Sequence, residues 1–127
     1  MEYVWVACGS AVGGMARHWV SVLMLKRYGA SFPWGTLTVN VVGSFVIGFV
    51  AVLAAGGKNP FATEAAQRFL LVGLLGGFTT FSSFSLQTLQ LIEKGSLGLG
   101  VSNVLVSVVS CLLAVWLGLR LGRLVLG

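Results

Sequence analysis

The sequence predicts an all-α integral membrane protein, and three properties of the chain support that fold class. Of its 127 residues, 57% are hydrophobic and 9% are charged, whereas soluble domains carry about 25% charged residues. The mean hydropathy is +0.97. A membrane-crossing helix needs about 20 apolar residues, and four segments are long enough: 3–25, 34–55, 69–92 and 97–119. Because they use most of the chain, we predict one transmembrane domain over residues 1–127.

The third segment contains a stretch that a regular membrane helix disfavours. Residues 73–85 read GLLGGFTTFSSFS, a glycine pair followed by several hydroxyl side chains. Lipid offers no water to a broken helix, so irregular backbone at that depth is buried in protein or lines a polar cavity. We therefore predict that the third helix is broken near its middle, and that the break marks an ion or transport site.

Basic residues are distributed almost evenly between the two predicted sides of the membrane. The side with the termini carries Lys58, Arg68, Arg120 and Arg123, and the opposite side carries Lys26, Arg27 and Lys94. Orientation normally follows an excess of Lys and Arg on the cytoplasmic side. Because neither side has a clear excess of basic residues, we predict that the chain inserts in both orientations and forms an antiparallel homodimer. A single orientation set by weaker cues remains open.

The predicted partners follow from the same properties. They are the lipid bilayer and a second copy of the chain, since four helices are few for enclosing a pore. The net charge of +5 reflects cations at the membrane edge and an attraction for anions, not a nucleic-acid partner. In the first segment, Gly9 and Gly13 form a small-xxx-small pair suited to close helix packing.

Two predicted helices carry polar residues along one face. The positions are Thr36, Asn40 and Ser44 in the second segment, and Asn103, Ser107 and Ser110 in the fourth. Such residues either bond between helices or line a path for a small solute, and the spacing alone leaves both readings open. The amides are the hardest to satisfy, because each offers two donors and two lone pairs.

Phenylalanines recur at every third position in the third segment: Phe78, Phe81 and Phe84. An aromatic stripe of this kind is usually packing. However, a ring edge carries positive potential, so it can face an anion without a full charge that would trap it. Conduction requires such weak binding.

Ionisable groups are scarce inside the segments. Arg17, followed by His18, is the one strong charge well inside a span, and every carboxylate lies at a segment edge. Proton-coupled transporters generally need an intramembrane carboxylate or a similar group, so coupled export is disfavoured. The sequence also lacks a nucleophile–base pair, a phosphate-binding loop and a metal-ligand cluster, so we predict that the protein is not an enzyme.

Four short motifs follow one another along the chain. They are GGMAR at 13–17, GTLTVNVVGSFVIG at 35–48, GGFTTFSSFS at 76–85 and NVLVSVVS at 103–110. In this order they resemble the motifs of the Fluc/CrcB fluoride channels of bacteria, over nearly the whole chain. The second and third motifs are the more specific. Ser83 stands where threonine is commoner, and His18 stands where an aromatic residue is commoner.

The resemblance implies a function and an assembly. The protein would be a fluoride-selective passive channel that exports fluoride down its electrochemical gradient and relieves fluoride toxicity. It would form an antiparallel dual-topology homodimer with two pores in the bacterial inner membrane. The alternative is a dual-topology transporter of another small solute, which would couple flux to a proton gradient.

The resemblance also implies site residues. Phe81 and Phe84 would present their ring edges to fluoride, and Arg17 would attract anions at a vestibule. The remaining pathway residues would be Asn40, Asn103, Ser107 and Ser110. A structural sodium ion at the dimer centre would be held by the main-chain carbonyls of Gly76 and Thr79.

Overall fold

The computed structural model describes residues 1–127 and is helical throughout, without a β-strand. The helices are α1 (Glu2–Tyr28), α2 (Trp34–Ala55), α3 (Glu64–Gln67), a π-helical segment (Arg68–Leu75), α4 (Gly76–Phe78), α5 (Phe81–Glu93) and α6 (Leu97–Leu126). A short 3-10 turn at Pro60–Ala62 precedes α3. The predicted all-α class is confirmed.

Three stretches are long and apolar enough to cross a membrane: Trp34–Ala55, Glu64–Glu93 and Leu97–Leu126. α1 has 27 residues but is not among them, because Arg17 and His18 lower the hydropathy of an otherwise apolar helix. The chain thus has three candidate spans and one further long helix, where the sequence predicted four spans.

Both predicted ends of α2 and the predicted start of α6 at residue 97 agree with the structure, and the other predicted ends differ from it. α1 runs past the predicted residue 25 to Tyr28 and stops at Gly29, whose φ of 78° favours glycine. α6 runs past the predicted residue 119 to Leu126. Arg120 and Arg123 do not end it, because arginine is a good helix former, and a cation in the last turn complements the helix dipole.

The third predicted helix, 69–92, is a series of helical pieces. It begins earlier, at α3, where the Thr63 hydroxyl accepts a hydrogen bond from the Ala66 N–H at 3.2 Å. Between α4 and α5, Thr79 and Thr80 have extended backbones. α5 then restarts with Thr80 as its N-cap, because its hydroxyl accepts the Ser83 N–H at 3.2 Å.

The glycine pair in this segment does not itself form the irregular stretch, which lies within the predicted range 73–85 but after the pair. Gly76 and Gly77 are helical. Gly77 instead allows α4 to lie close to α1, because a Cβ at this position would lie 2.7 Å from the Ser10 carbonyl oxygen. The two extended residues come after the pair, at Thr79 and Thr80.

Close backbone contact joins α1 to the π-helical segment. A Cβ on Gly9 would collide with the carbonyl oxygen of Phe69, and a Cβ on Gly13 would collide with that of Leu74. The predicted role of this glycine pair in close packing is therefore confirmed, and the packing lies within one chain. Gly48 on α2 and Gly118 on α6 allow a similar approach.

Replacing Gly13 with alanine should destabilise the protein, because the new methyl group meets backbone, which cannot move aside as a side chain can. Overpacking of this kind costs about 1–3 kcal/mol. The matched control is Gly14→Ala, since nothing lies within 4 Å of a Cβ there. Thermal unfolding in detergent measures both. Equal midpoints for the two variants would contradict the close-packing role of Gly13.

Candidate functional site

An open groove of about 440 Å³ lies beside the extended pair Thr79–Thr80. α2, the π-helical segment, α5 and α6 all contribute to its wall. The predicted site residues that line it are Asn40, Gly76, Thr79, Phe81, Phe84 and Ser107. The other predicted residues, Arg17, Asn103 and Ser110, do not line it.

Asn40 of α2 binds the extended backbone directly. Its Nδ2 donates to the Thr80 carbonyl at 3.0 Å, and its Oδ1 accepts the Thr80 N–H at 2.8 Å. The amide therefore supplies a donor and an acceptor to a residue that has left the helical hydrogen-bond ladder. This reciprocal pair explains how an asparagine is satisfied within an apolar helix.

Two carbonyls lose their helical donors at the same place. The Gly76 carbonyl would normally accept the Thr80 N–H, which bonds to Asn40 instead. The Thr79 carbonyl would normally accept the Ser83 N–H, which bonds to the Thr80 hydroxyl. Neither carbonyl oxygen therefore accepts the N–H that a continuous helix would give it.

Thr79 is held in a fixed position by its neighbours. Its hydroxyl donates to the Leu75 carbonyl at 2.9 Å, and its N–H donates to the same oxygen at 3.0 Å. Its methyl group packs against Gly43 of α2, where a Cβ would collide with it. Gly43 was not among the predicted site residues, although it lies within the GTLTVNVVGSFVIG motif.

The two groove phenylalanines lie next to each other on α5. Their ring centroids are 5.4 Å apart, and the ring planes are tilted by 49°. Phe81 is 78% exposed in the single chain, and Phe84 is half-buried. Phe78 lies before the extended residues, beside Gly43, and does not line the groove.

The polar residues of α6 form a hydrogen-bonded chain. Asn103 is 1% exposed, and its Nδ2 donates to the Thr88 hydroxyl of α5 at 2.8 Å. The Ser107 hydroxyl donates to Asn103 Oδ1 at 3.3 Å. Ser110 bonds back to carbonyls of its own helix. Within one chain, Asn103 therefore joins two helices, and Ser107 connects this network to the groove.

The charged groups lie away from the groove. Arg17 is half-buried on α1 and makes no salt bridge. The ion pairs are made by Arg68, which binds Glu2 at 3.0 Å and Glu64 at 3.1 Å. Their side chains are substantially exposed, so these pairs contribute little, about 0–1 kcal/mol each.

A second cavity, of about 320 Å³, lies between the end of α1, the start of α2 and the end of α5. Its polar lining includes Ser21, Thr36, Gln87, Gln90 and Lys94, with no carboxylate. The Gln87 Oε1 atom is buried and has no hydrogen-bond partner. The predicted polar face of α2 is thus divided, with Thr36 at this cavity and Asn40 at the groove.

Long apolar helices, together with a groove that carries a few polar groups at a stretch of extended backbone, define a class, that of polytopic membrane proteins built to pass or bind a small solute. The model of the CrcB-like protein family (Camphor Resistance, CrcB) matches residues 4–119. This protein belongs to the CrcB family.

Curated relatives match almost end to end. The fluoride-specific ion channel FluC of Methylocella silvestris is 51% identical over 118 residues, which is 93% of this chain and 90% of that protein. The FluC of Opitutus terrae is 52% identical over 116 residues, covering 91% of this chain and 88% of the relative. The FluC of Magnetococcus marinus is 46% identical over 125 residues, covering 98% and 100%. All three names describe a channel and not an enzyme.

Proposed function

We propose that this protein is a fluoride-selective passive ion channel, which exports fluoride down its electrochemical gradient and so relieves fluoride toxicity. The names of its relatives support this function. The structural observation that most supports a fluoride channel is the composition of the groove. Phe81, Phe84, an amide and several hydroxyls meet there, and no charged side chain lines the wall.

The rings and the amide suit a small anion. The ring edges carry positive potential, and Asn40 Nδ2 has a second hydrogen that can replace part of a hydration shell. The hydroxyl protons of Thr79 and Ser107 are already donated to Leu75 and Asn103. A fixed positive charge in the groove would bind an anion strongly, whereas conduction requires that the ion also leaves. A carboxylate would repel it. An uncharged wall therefore favours passage, and a partner copy that narrows the open groove would select against larger anions such as chloride.

The proposed assembly is an antiparallel dual-topology homodimer with two pores, in which α1 crosses the membrane as a fourth span. The nearly equal numbers of basic residues on the two sides support dual insertion. Phe81 is 78% exposed in the single chain, and a partner that covers this ring would close the groove into a path. The apolar exposed face of α6, with Leu105, Val109 and Leu112, would meet the partner or lipid.

A structural sodium ion at the dimer centre is part of the proposal. The freed carbonyls of Gly76 and Thr79 suit it, because a hard cation prefers oxygen ligands. The ion would neutralise oxygens that a dry interior leaves without partners.

The proposed location is the bacterial inner membrane. Passive export needs no coupling group, which agrees with the absence of a carboxylate from the groove. Fluoride that enters a cell as HF and dissociates inside would leave through the channel, driven by its own gradient.

Arg17 is proposed as a vestibule residue that attracts anions by its charge. Arg17→Ala should then lower fluoride flux more at low than at high ionic strength, because salt screens an exposed charge over about 10 Å at 0.1 M. Flux measured across a salt series tests this. A loss that is independent of salt would indicate a structural role instead.

Fluoride efflux from liposomes tests the function. Purified protein is reconstituted, a potassium ionophore relieves the membrane potential, and fluoride and chloride are measured with ion-selective electrodes. We expect rapid fluoride loss with chloride retained. A folded dimer that releases no fluoride, or that releases both ions alike, contradicts the proposal. Efflux that depends on a proton gradient would favour the coupled-transporter alternative.

A further inference from the structure

We infer that Thr88 is a positioning residue of the pathway, which holds Phe84 in place by joining its backbone to α6. The inference rests on the proposed function, because the value of a fixed Phe84 lies in its contact with the ion. Thr88 does not line the groove, so it would act through Phe84 and not by touching fluoride.

A continuous chain of hydrogen bonds leads from α6 to Phe84. Thr88 is 8% exposed and lies one helical turn after Phe84. Its hydroxyl donates to the Phe84 carbonyl at 2.7 Å and accepts from Asn103 Nδ2 at 2.8 Å. The Ser107 hydroxyl then donates to the same asparagine at 3.3 Å. The Thr88 hydroxyl thus uses its one donor and one of its acceptor sites.

The short α5 needs such a connection. It has 13 residues, and the extended pair before it removes continuity with α4. At its N-terminal end the only polar interhelical bonds are those between Asn40 and Thr80. A second polar contact further along the helix would add to its packing in restricting rotation about its own axis.

Thr88 supplies the second point, two turns along the same helix. α6 can approach there because Gly100 has no side chain, and a Cβ at that position would lie 2.6 Å from Ile92 Cγ1 and 3.4 Å from the Thr88 carbonyl oxygen. Phe81 and Phe84 both lie between the two polar contacts. The backbone that carries both rings is therefore held by Asn40 at one end and by Thr88 with Asn103 at the other.

The experiment compares three variants in reconstituted homodimer. Thr88→Val keeps the shape of the side chain but removes both hydrogen bonds, and Thr88→Ser keeps them. The matched control is Thr38→Val, because the Thr38 hydroxyl makes the same local bond, to the Trp34 carbonyl at 2.7 Å, and has no partner on another helix. Size-exclusion chromatography confirms that each variant is a dimer, and fluoride and chloride efflux are measured together.

We expect the fluoride-to-chloride efflux ratio of Thr88→Val to fall by about tenfold, which corresponds to about 1.4 kcal/mol. Thr88→Ser should restore the ratio, and Thr38→Val should leave it unchanged. A purely structural role would lower the yield of dimer without changing the selectivity of the dimers that form.

Three results would overturn the inference: an unchanged ratio in Thr88→Val, an equal fall in Thr88→Ser, or an equal fall in Thr38→Val. If Thr88→Val does not assemble, Thr88→Ala replaces it, because the smaller side chain removes the same bonds without placing a methyl group against the Asn103 amide. A wild-type protein without fluoride flux would refute the proposed function itself. Variants that match a conducting wild type would refute only the role of Thr88.

Discussion

Fluoride flux should fall by about tenfold or more when Phe81 or Phe84 is replaced by isoleucine, a loss of at least about 1.4 kcal/mol of interaction with the ion in transit. Isoleucine keeps a large apolar side chain, so packing beside the neighbouring ring changes little. It removes the positive ring edge, and no aliphatic group replaces that potential. Fluoride efflux from liposomes at equal protein density measures the effect.

The control for this experiment is Phe61→Ile, because Phe61 lies in the 3-10 turn before α3, away from the groove. Its flux should equal that of the wild type. All three variants should elute as dimers, which separates lost conduction from lost folding. Wild-type flux in both groove variants would show that the ring edges do not face the ion, and the two phenylalanines would then serve packing alone.

Replacing Asn40 with leucine should abolish flux and also lower stability. The variant removes the partner of the Thr80 N–H and of the Thr80 carbonyl. A buried polar group without a partner costs about 1–3 kcal/mol, so the extended residues should shift to find other partners. That shift would move the Gly76 and Thr79 carbonyls together with the start of α5. Unfolding midpoints in detergent and fluoride efflux measure the two effects.

Asn59→Ala is the matched control for Asn40. The Asn59 amide likewise uses one donor and one acceptor on backbone groups, donating to the Leu53 carbonyl at 2.7 Å and accepting the Phe61 N–H at 2.9 Å. These two bonds join the segment between α2 and α3 to the end of α2, away from the groove. Their loss should lower stability without lowering flux. Normal flux in Asn40→Leu would show that the pathway does not depend on the backbone that Asn40 binds.

Much of the fold could be predicted because hydropathy and composition act locally. The bounds of α2 and the close packing at Gly9 and Gly13 follow from a run of apolar residues and from the absence of a side chain. The exact place of the extended residues could not be predicted in this way. It depends on Asn40, which is 40 residues away in sequence from Thr80, and sequence spacing does not report such a contact.

Sequence spacing also could not predict which of the candidate site residues lie together. A spacing of three suggested one stripe of phenylalanines, but the extended pair separates Phe78 from Phe81 and Phe84, so only the last two line the groove. The polar face of α6 left two readings open, and the hydrogen bond between Asn103 and Thr88 gives this asparagine an interhelical contact. The roles of Asn103 and Ser110 in conduction stay predictions.

The most direct test of the central claim, a passive fluoride-selective channel, is the zero-current voltage across a bilayer that holds the purified protein. Fluoride differs tenfold between the two sides, while chloride and pH are equal. For a channel selective for this monovalent anion, we expect a magnitude of about 59 mV, with the sign set by fluoride. A voltage near zero would contradict selective conduction, and a voltage that follows an imposed pH gradient would contradict passive transport.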